Sequence, residues 1–223
     1  MSESAEPVVR MSSVRFSWDG SGEPDLKVDA LDVAKGEHLF VEGPSGSGKS
    51  TLLGLLAGVI QPQSGTVEML GKKISALGAA ERDKVRAEHL GYIFQMFNLI
   101  PYLSVIENVT LPLNFSSQRS GRVSDPKAEA TRLLEHLGMG GYRDRTVTKL
   151  SVGQQQRVAA ARALIGAPEI LLADEPTSAL DEGHSEGFID LLFQECKAAG
   201  TTLVFVSHDR TLARLFDRSY SLG

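Results

Sequence analysis

The sequence predicts an α/β fold in which the strands of a parallel sheet alternate with covering helices, and three observations support this. Short apolar runs at residues 39–42, 170–173 and 203–206 are typical of strands that are buried on both faces. Helical patterns lie between such runs, most clearly at residues 185–199. A glycine-rich turn joins the first run directly to a predicted helix at residues 49–58.

Four further strands are expected before residue 96, because apolar side chains there alternate or form short runs. They are residues 8–18, 26–33, 65–70 and 91–95. The pattern then becomes helical, and Asp125-Pro126 predicts an N-cap followed by a first helical residue. The polar stretch at 116–124 is expected to be an exposed loop. We therefore expect two lobes, an α/β core and a helical insertion at residues 96–166.

Composition and charge narrow the class of protein. No apolar stretch is long enough to span a bilayer, and no amino-terminal pattern resembles a secretory signal, so we expect a cytosolic chain. Any membrane part must then come from another chain. The formal charge of −5 argues against sequence-independent nucleic-acid binding, and no nucleic-acid partner is expected. The single cysteine, Cys196, lies in an apolar helical pattern and is expected to be a buried, reduced thiol.

The glycine-rich turn matches the phosphate-binding loop, or P-loop, pattern in full. Its glycines allow backbone N–H groups to converge on phosphate oxygens, and the following helix adds its positive dipole end. Lys49 would contact the β- and γ-phosphates of ATP, and Ser50 would offer its hydroxyl to Mg²⁺. A glycine-rich turn with a chance lysine is the weaker alternative. The predicted nucleotide-binding residues here are Gly43, Pro44, Ser45, Gly46, Ser47, Gly48, Lys49, Ser50 and Thr51.

Two acids end the predicted strand at 170–173, at the edge where ligands bind in parallel sheets. Asp174 is expected to hold the Mg²⁺ shell through water. Glu175 is expected to face the γ-phosphate and to orient or deprotonate the attacking water. The alternative is a pair of exposed acids before Pro176.

Ser151 and Gln154 form a predicted capping box, which marks a helix start. A capped helix end is also an anion site, although a cap alone is the simpler interpretation. This start lies about 100 residues after the P-loop and about 20 residues before Asp174. Together the three motifs resemble the nucleotide-binding subunits of ATP-binding cassette (ABC) transporters, over nearly the whole chain.

The resemblance implies a P-loop NTPase core with a parallel sheet and a small antiparallel β subdomain, formed by residues 1–95 and 167–223. The α-helical subdomain, residues 96–166, would carry the Ser151 helix start. It also implies an ATPase that dimerises head to tail with a second copy of itself. Ser151, Gly153 and Gln154 of one copy would then close over the γ-phosphate bound by the other.

Further roles follow from the same resemblance. The family pattern Leu-Ser-Gly-Gly-Gln is changed at Val152, which is expected to stiffen this turn or slow closure. Residues 178–181 are similar to the segment that crosses the dimer seam. Gln95 is implied to meet Mg²⁺ and the lytic water, and His208 to contact the γ-phosphate. By themselves, these two side chains would be a polar strand end and a structural histidine.

An aromatic ring is expected to stack on adenine. Trp18 is the candidate, and Phe16, two residues earlier on the same strand face, is its rival. Core packing is the alternative for both rings.

Residues 92–101, 107–109 and 111–113 resemble most the ATPases of lipoprotein-release, macrolide-efflux and FtsEX-like systems. This branch implies a separate transmembrane permease subunit and a peripheral position on the cytoplasmic face of the bacterial inner membrane. The permease is expected to dock near residues 96–108, from Met96 to Asn108, where apolar side chains are frequent.

Two other classes stay open at this point. A soluble ABC ATPase of DNA repair would need room for a coiled coil, and one of translation would need a second cassette. A regulatory protein that binds ATP without turnover is disfavoured by the intact Glu175.

Overall fold

The computed structural model describes residues 6–20, 23–178 and 182–222, and the chain divides into two compact units. The first unit consists of Met1–Arg86 and Thr202–Gly223, and the second of Ala87–Thr201. The predicted helical subdomain at 96–166 falls within the second unit, and its boundaries stay a prediction. Within the described residues, no helix combines the length and the apolar character that crossing a membrane requires.

Strands and helices alternate along much of the chain. The strands are β1 Val9–Phe16, β2 Leu26–Val33, β3 His38–Glu42, β4 Ser64–Met69, β5 Lys72–Lys73, β6 Leu90–Ile93, β7 Ile170–Asp174, β8 Thr202–Val206 and β9 Arg218–Ser221. The helices are α1 Lys49–Leu56, α2 Ala79–His89, α3 Val105–Thr110, α4 Ser117–Gly121, α5 Pro126–His136, α6 Val152–Leu164 and α7 Glu182–Ala199. Short 3-10 segments occur at Ile74–Ala76, Leu111–Asn114, Gly140–Tyr142, Val147–Lys149 and Arg210–Leu215.

The first unit contains an antiparallel sheet in the order β2-β1-β4-β5. Central strand β1 pairs with β2 from Val9 opposite Val33 to Phe16 opposite Leu26. The buried residues of β2 are the apolar Leu26, Val28, Leu31 and Val33, and the residues between them are exposed, as expected for a sheet with one covered face. The antiparallel β part that the family resemblance implied is therefore present.

The same unit contains a parallel group in which β3 lies between β8 and β9. Strands β3 and β8 are apolar and almost entirely buried, which explains their continuous hydrophobic runs. Phe40 of β3 lies 6.2 Å from Phe205 of β8 and 5.1 Å from Phe216, measured between ring centroids. This aromatic cluster packs β3, the strand that leads into the P-loop, against its neighbours.

In the second unit, β6 and β7 pair in parallel from Leu90 opposite Ile170 to Ile93 opposite Ala173. Helix α6 packs closely on β6 at Gly91, where an added Cβ would lie 2.3 Å from the Ala163 carbonyl oxygen. A glycine is therefore required at this helix–strand contact. Both strands end at the same edge, so the segment with Gln95 and the acids after Ala173 emerge side by side.

One expectation from the sequence was wrong: residues 116–124 are not simply an exposed loop. Ser116 caps helix α4, and Arg119 inside that helix is buried. Its guanidinium donates to the backbone carbonyls of Leu90 and Ala163, each at 3.0 Å, and to that of Ile165. Arg119 can be buried because these carbonyls accept hydrogen bonds from its guanidinium. A pattern of polar and apolar residues does not reveal such contacts.

Cys196 agrees with its expectation. Its side chain is fully buried in α7, and burial, followed by the neighbouring Glu195, raises the pKa of the thiol to about 12. A thiol with that pKa is protonated and unreactive near neutral pH.

Candidate nucleotide-binding and catalytic residues

The P-loop of the first unit curls around the Lys49 side chain. The Lys49 ammonium donates to the carbonyl oxygens of Gly43 and Pro44, both at 2.8 Å, and is almost fully buried. Gly46 and Gly48 adopt left-handed backbone conformations, with φ of 82° and 89°. The loop therefore holds a cation at its centre and needs glycine's freedom at two of its turns.

A side chain at Gly43 would fill the loop. A Cβ at that position would lie 2.4 Å from the Ser47 hydroxyl oxygen and 2.8 Å from the Leu222 carbonyl oxygen. At Gly48, it would lie 3.1 Å from the Leu26 side chain. These close approaches leave no room for a side chain at Gly43 and little at Gly48.

Two features of this loop fit a phosphate group. Helix α1 begins at Lys49 after Gly48, so no side chain caps its amino-terminal N–H groups. The Ser47 hydroxyl is buried and has no hydrogen-bond partner among the residues that the structure describes. A buried hydroxyl beside an uncapped helix start is a site that phosphate oxygens satisfy.

The two candidate aromatics differ in exposure. Trp18 is 67% exposed, whereas Phe16 is 6% exposed. The two rings are perpendicular to each other, with 5.0 Å between their centroids. The backbone N–H of Trp18 donates to the Asp25 carboxylate at 2.8 Å. The carbonyl of Asp25 in turn lies 3.6 Å from the position of a Cβ on Gly48. The segment with Trp18 is thus held beside the end of the P-loop, a link that the sequence did not suggest.

An open cleft of about 290 Å³ adjoins this region, lined by Asp25, Lys27, Ser47 and Leu222 among others. His208 also belongs to the first unit. It follows buried Ser207 after the end of β8, and its side chain is exposed.

Asp174 and Glu175 belong to the second unit, at the end of β7. Asp174 is the last strand residue, and Glu175 adopts a left-handed conformation with φ of 45°. The Glu175 carbonyl accepts the Ser178 N–H at 3.2 Å, which closes a turn. Left-handed backbone is uncommon for a glutamate, and such outliers occur preferentially at functional sites.

The carboxylate of Asp174 influences Tyr92 of β6. Burial, followed by the charge of Asp174, raises the pKa of the Tyr92 hydroxyl well above its usual range. The Tyr92 ring stacks on Phe94 at 4.2 Å. Asp174 is therefore close enough for its charge to act on the Tyr92 hydroxyl, which stays protonated near neutral pH.

Gln95 lies just past β6, in an exposed turn. The N–H of Phe97 donates to the Phe94 carbonyl at 2.9 Å, so Gln95 and Met96 are the inner residues of this turn. The strand ends at Ile93, two residues earlier than the predicted end at 95.

The predicted helix start at Ser151 is present. The Gln154 N–H donates to the Ser151 hydroxyl at 3.3 Å, and the Ser151 N–H donates to the Gln154 side chain at 3.0 Å. Val152 is the first residue of α6 and is half-exposed. Gly153 follows it in the first turn of the helix. Residues 179–181 of the predicted seam segment lie outside the described residues, and Ser178 is exposed.

The predicted site residues are thus divided between the units. The P-loop, Trp18 and His208 belong to the first unit, whereas Gln95, Asp174, Glu175 and the Ser151 helix start belong to the second. Within each unit the local geometry is formed by backbone turns and caps.

Residues 26–178 match the protein family described as ABC transporter. The chain is 42% identical over 221 residues to YbbA of Escherichia coli (strain K12), an uncharacterized ABC transporter ATP-binding protein, covering 98% of this chain and 95% of that protein. It is 39% identical over 222 residues to the lipoprotein-releasing system ATP-binding protein LolD of Xanthomonas oryzae pv. oryzae (strain MAFF 311018), covering 99% of this chain and 90% of LolD.

A solved structure of the ATP-binding cassette MJ0796, a dimer in a post-hydrolysis state with ADP and Pi, superimposes with a TM-score of 0.86. The sequence identity is 37%, over 96% of this chain and 94% of MJ0796. These similarities extend over almost the whole chain and confirm the resemblance drawn from the motifs.

Proposed function

Because this chain belongs to the ABC transporter family and is an ATPase of the ABC type, we propose how its residues divide the work of binding and hydrolysing ATP. The observation that carries the assignment is the P-loop, which combines an uncapped helix start, a buried lysine and a buried hydroxyl without a hydrogen-bond partner among the described residues. All three are satisfied by the phosphates of ATP.

Backbone N–H groups of residues 43–51, except Pro44, bind the β- and γ-phosphates, and Lys49 contributes a charge from the centre of the loop. Ser50, Gln95 and Asp174 would hold Mg²⁺, directly or through water, and the bound ion would supply positive charge to offset that of the phosphates. Since phosphoryl transfer needs little covalent chemistry from the protein, the positioning of these groups accounts for most of the rate enhancement.

Glu175 acts on the attacking water. It directly follows the last residue of β7 and adopts a left-handed backbone conformation in the turn closed by the Ser178 N–H. There it orients the water and accepts its proton. His208 contacts the γ-phosphate, and Trp18 stacks on adenine.

The active form is a head-to-tail dimer of two copies with ATP bound between them. Ser151, Gly153 and Gln154 of one copy contact the γ-phosphate held by the other, through a helix start that is already preorganised by its capping box. MJ0796, which is similar along its length, is dimeric with ADP and Pi.

The dimer powers a separate transmembrane permease from the cytoplasmic face of the bacterial inner membrane. LolD, one of the relatives, belongs to a lipoprotein-releasing system, and a related membrane complex is the context proposed for this chain. The permease docks near residues 96–108. Met96 and Tyr102 of this segment are each 81% exposed, and such apolar exposure marks partner sites.

The division of roles predicts that Lys49→Ala impairs ATP binding, whereas Glu175→Gln impairs hydrolysis. Loss of the Lys49 charge removes a charge-assisted contact and should weaken ATP binding by about 10 to 100-fold. Glu175→Gln keeps the shape of the side chain and should leave ATP affinity within about twofold while lowering kcat by roughly 10² to 10⁴-fold. Equilibrium binding of a fluorescent ATP analogue and steady-state phosphate release measure the two effects separately.

Lys35→Ala, which removes an exposed lysine in the turn before β3, is the matched control and should change neither quantity. An equal loss of affinity in the Lys49 and Glu175 variants would show that these roles are assigned wrongly.

A further inference from the structure

Helix α6, which begins after Ser151, also contains a buried arginine. Arg162, near the other end of the helix, is almost fully buried. Its Nη1 donates to the Asn98 carbonyl at 2.6 Å and its Nη2 to the Phe97 carbonyl at 2.5 Å. Burial lowers the pKa of Arg162, and among the described residues no neighbouring carboxylate contributes to that shift. The guanidinium is thus desolvated and hydrogen-bonded to two backbone carbonyls. Burying a charge costs free energy, which these hydrogen bonds must offset.

The two carbonyls belong to a strained segment immediately after Gln95. Phe97 and Asn98 have φ of 56° and 48°, although neither is glycine. The Phe97 N–H closes the turn that contains Gln95, and the Asn98 N–H donates to the Met96 carbonyl at 2.6 Å. Left-handed backbone at a bulky residue persists only where the surroundings hold it. Here Arg162 holds both carbonyls while the Phe97 side chain is buried.

The same helix connects this clamp to Ser151. Helix α6 runs without interruption from Val152 to Leu164. At about 1.5 Å per residue, Arg162 lies roughly 17 Å along the axis from Ser151. A continuous helix transmits displacement over this distance as a rigid element. A movement of the Ser151 end therefore reaches the carbonyls of the Gln95 turn through Arg162.

We propose that Arg162 is a positioning residue that clamps the Gln95 turn in its hydrolytic shape and couples that turn to the Ser151 helix start. The inference rests on the role in hydrolysis proposed above for Gln95. Arg162 does not touch ATP; it acts through the backbone of Phe97 and Asn98. The planar fork of arginine suits two adjacent carbonyls, whereas a lysine can reach them only as a single flexible charge.

Arg119 supplies a matched control. It is also a buried arginine whose guanidinium binds backbone carbonyls, those of Leu90, Ala163 and Ile165. Arg119→Met and Arg162→Met each remove a guanidinium and leave buried carbonyls without a donor. Only Arg162→Met releases the residues that close the Gln95 turn.

The experiment places a nitroxide or fluorescent label on Met96→Cys, since Met96 is exposed and Cys196 is buried and unreactive. Label mobility reports the turn directly, without ATP. In the unlabelled chains, kcat and the ATP dissociation constant are measured alongside. Gln95→Ala, measured in parallel, tests the role of Gln95 itself.

Arg162→Met should increase label mobility and lower kcat by about 2 to 30-fold, the range for a residue that acts through a coupled network, with ATP affinity within about twofold. Arg162→Lys should show a smaller change in the same direction, and it decides the question if Arg162→Met does not fold. Arg119→Met should leave label mobility as in the parent chain.

Unchanged mobility in the Arg162 variants, or an equal increase in Arg119→Met, would overturn the clamp. A mobile label with an unchanged kcat would overturn its link to hydrolysis. If Gln95→Ala keeps full kcat, the proposed role of Gln95 fails, while the mobility data still decide whether Arg162 holds the turn.

Discussion

Trp18 combines an anchored backbone with an open ring face. Its backbone N–H donates to the Asp25 carboxylate, and its ring packs perpendicular to the ring of the buried Phe16. Most of the indole nevertheless faces solvent. A large apolar ring held in this way loses little further freedom when it stacks, so most of the contact energy is available for binding a nucleotide base.

ATP should therefore change the fluorescence of Trp18, the only tryptophan in the chain. Stacking on a base contributes about 1–3 kcal/mol, so Trp18→Ala should raise the KM for ATP by roughly 10-fold, with a smaller effect on kcat. Trp18→Phe, which keeps a stacking face, should give a smaller increase in KM. A fluorescence titration and steady-state kinetics are sufficient to measure this.

Phe115→Ala is the control, because Phe115 is also an exposed aromatic and has no proposed role in binding. An unchanged KM in Trp18→Ala, together with no fluorescence response to ATP, would reduce Trp18 to a packing role.

Phe16 and Trp18 also show what a sequence can determine at the scale of a residue. Their spacing places them on one strand face, and both fit an adenine platform equally well. The structure distinguishes them because Phe16 lies within the apolar face of β1, whereas Trp18 lies beyond the end of the strand. This difference depends on where β1 ends, and strand ends are poorly determined by local pattern.

At the scale of an element, the segment after Gln95 exposes fewer apolar side chains than its composition suggests. Phe97 is buried, and Leu99, Ile100 and Leu103 are half-buried. Met96 and Tyr102 remain exposed. A docking surface proposed here thus rests on two prominent side chains and not on the whole apolar run.

Met96→Glu or Tyr102→Glu should leave the basal ATPase rate of the isolated subunit nearly unchanged. Either change should abolish assembly with the membrane partner or its stimulation of hydrolysis, because a charge in an apolar interface is desolvated without compensation. Leu99→Glu is expected to act in the same direction. Co-purification and reconstituted ATPase assays measure the two outcomes.

Phe115→Glu, at an exposed aromatic outside this segment, is the control and should assemble normally. A Tyr102→Glu subunit that is stimulated like the parent would contradict docking at this segment. A Tyr102→Glu subunit that unfolds would indicate that Tyr102 packs against its own chain.

Helices differ in how well their sequences predict them. Asp125 caps α5 with Pro126 as its first residue, as expected from two adjacent residue types with strong positional preferences. Helix α2 was not predicted, since Val85 is its only buried residue and no apolar stripe marks it. Helix α4 was also missed, because its anchor is a buried arginine instead of an apolar side chain.

At the scale of the whole molecule, the P-loop, the acidic strand end and the Ser151 helix start were predicted because each is a contiguous motif with its own backbone chemistry. Strand β9 was not predicted, because its residues are mostly exposed and its pairing with β3 is a contact between distant parts of the chain. The Arg162 clamp is likewise a long-range contact. Local motifs are thus predictable, whereas the connections between them need the structure.

ATP should drive dimerisation of the whole chain. If Ser151 of one copy binds the γ-phosphate held by the other, the closed site needs two chains and the nucleotide between them. The Glu175→Gln variant, in which hydrolysis is slow, should be monomeric without nucleotide and dimeric with ATP and Mg²⁺. Light scattering coupled to size exclusion gives the mass in each state.

Ser151→Ala in the Glu175→Gln background should weaken this dimer, and Ser104→Ala is its matched control. Ser104 also starts a helix in the same unit through a capping box, with Glu107 as its partner. Both changes remove a cap at a cost of about 1 kcal/mol in stability, so only a contact across the dimer distinguishes them. Equal dimerisation in the two variants would remove Ser151 from the interface, and a mass that does not depend on ATP would exclude nucleotide-driven closure.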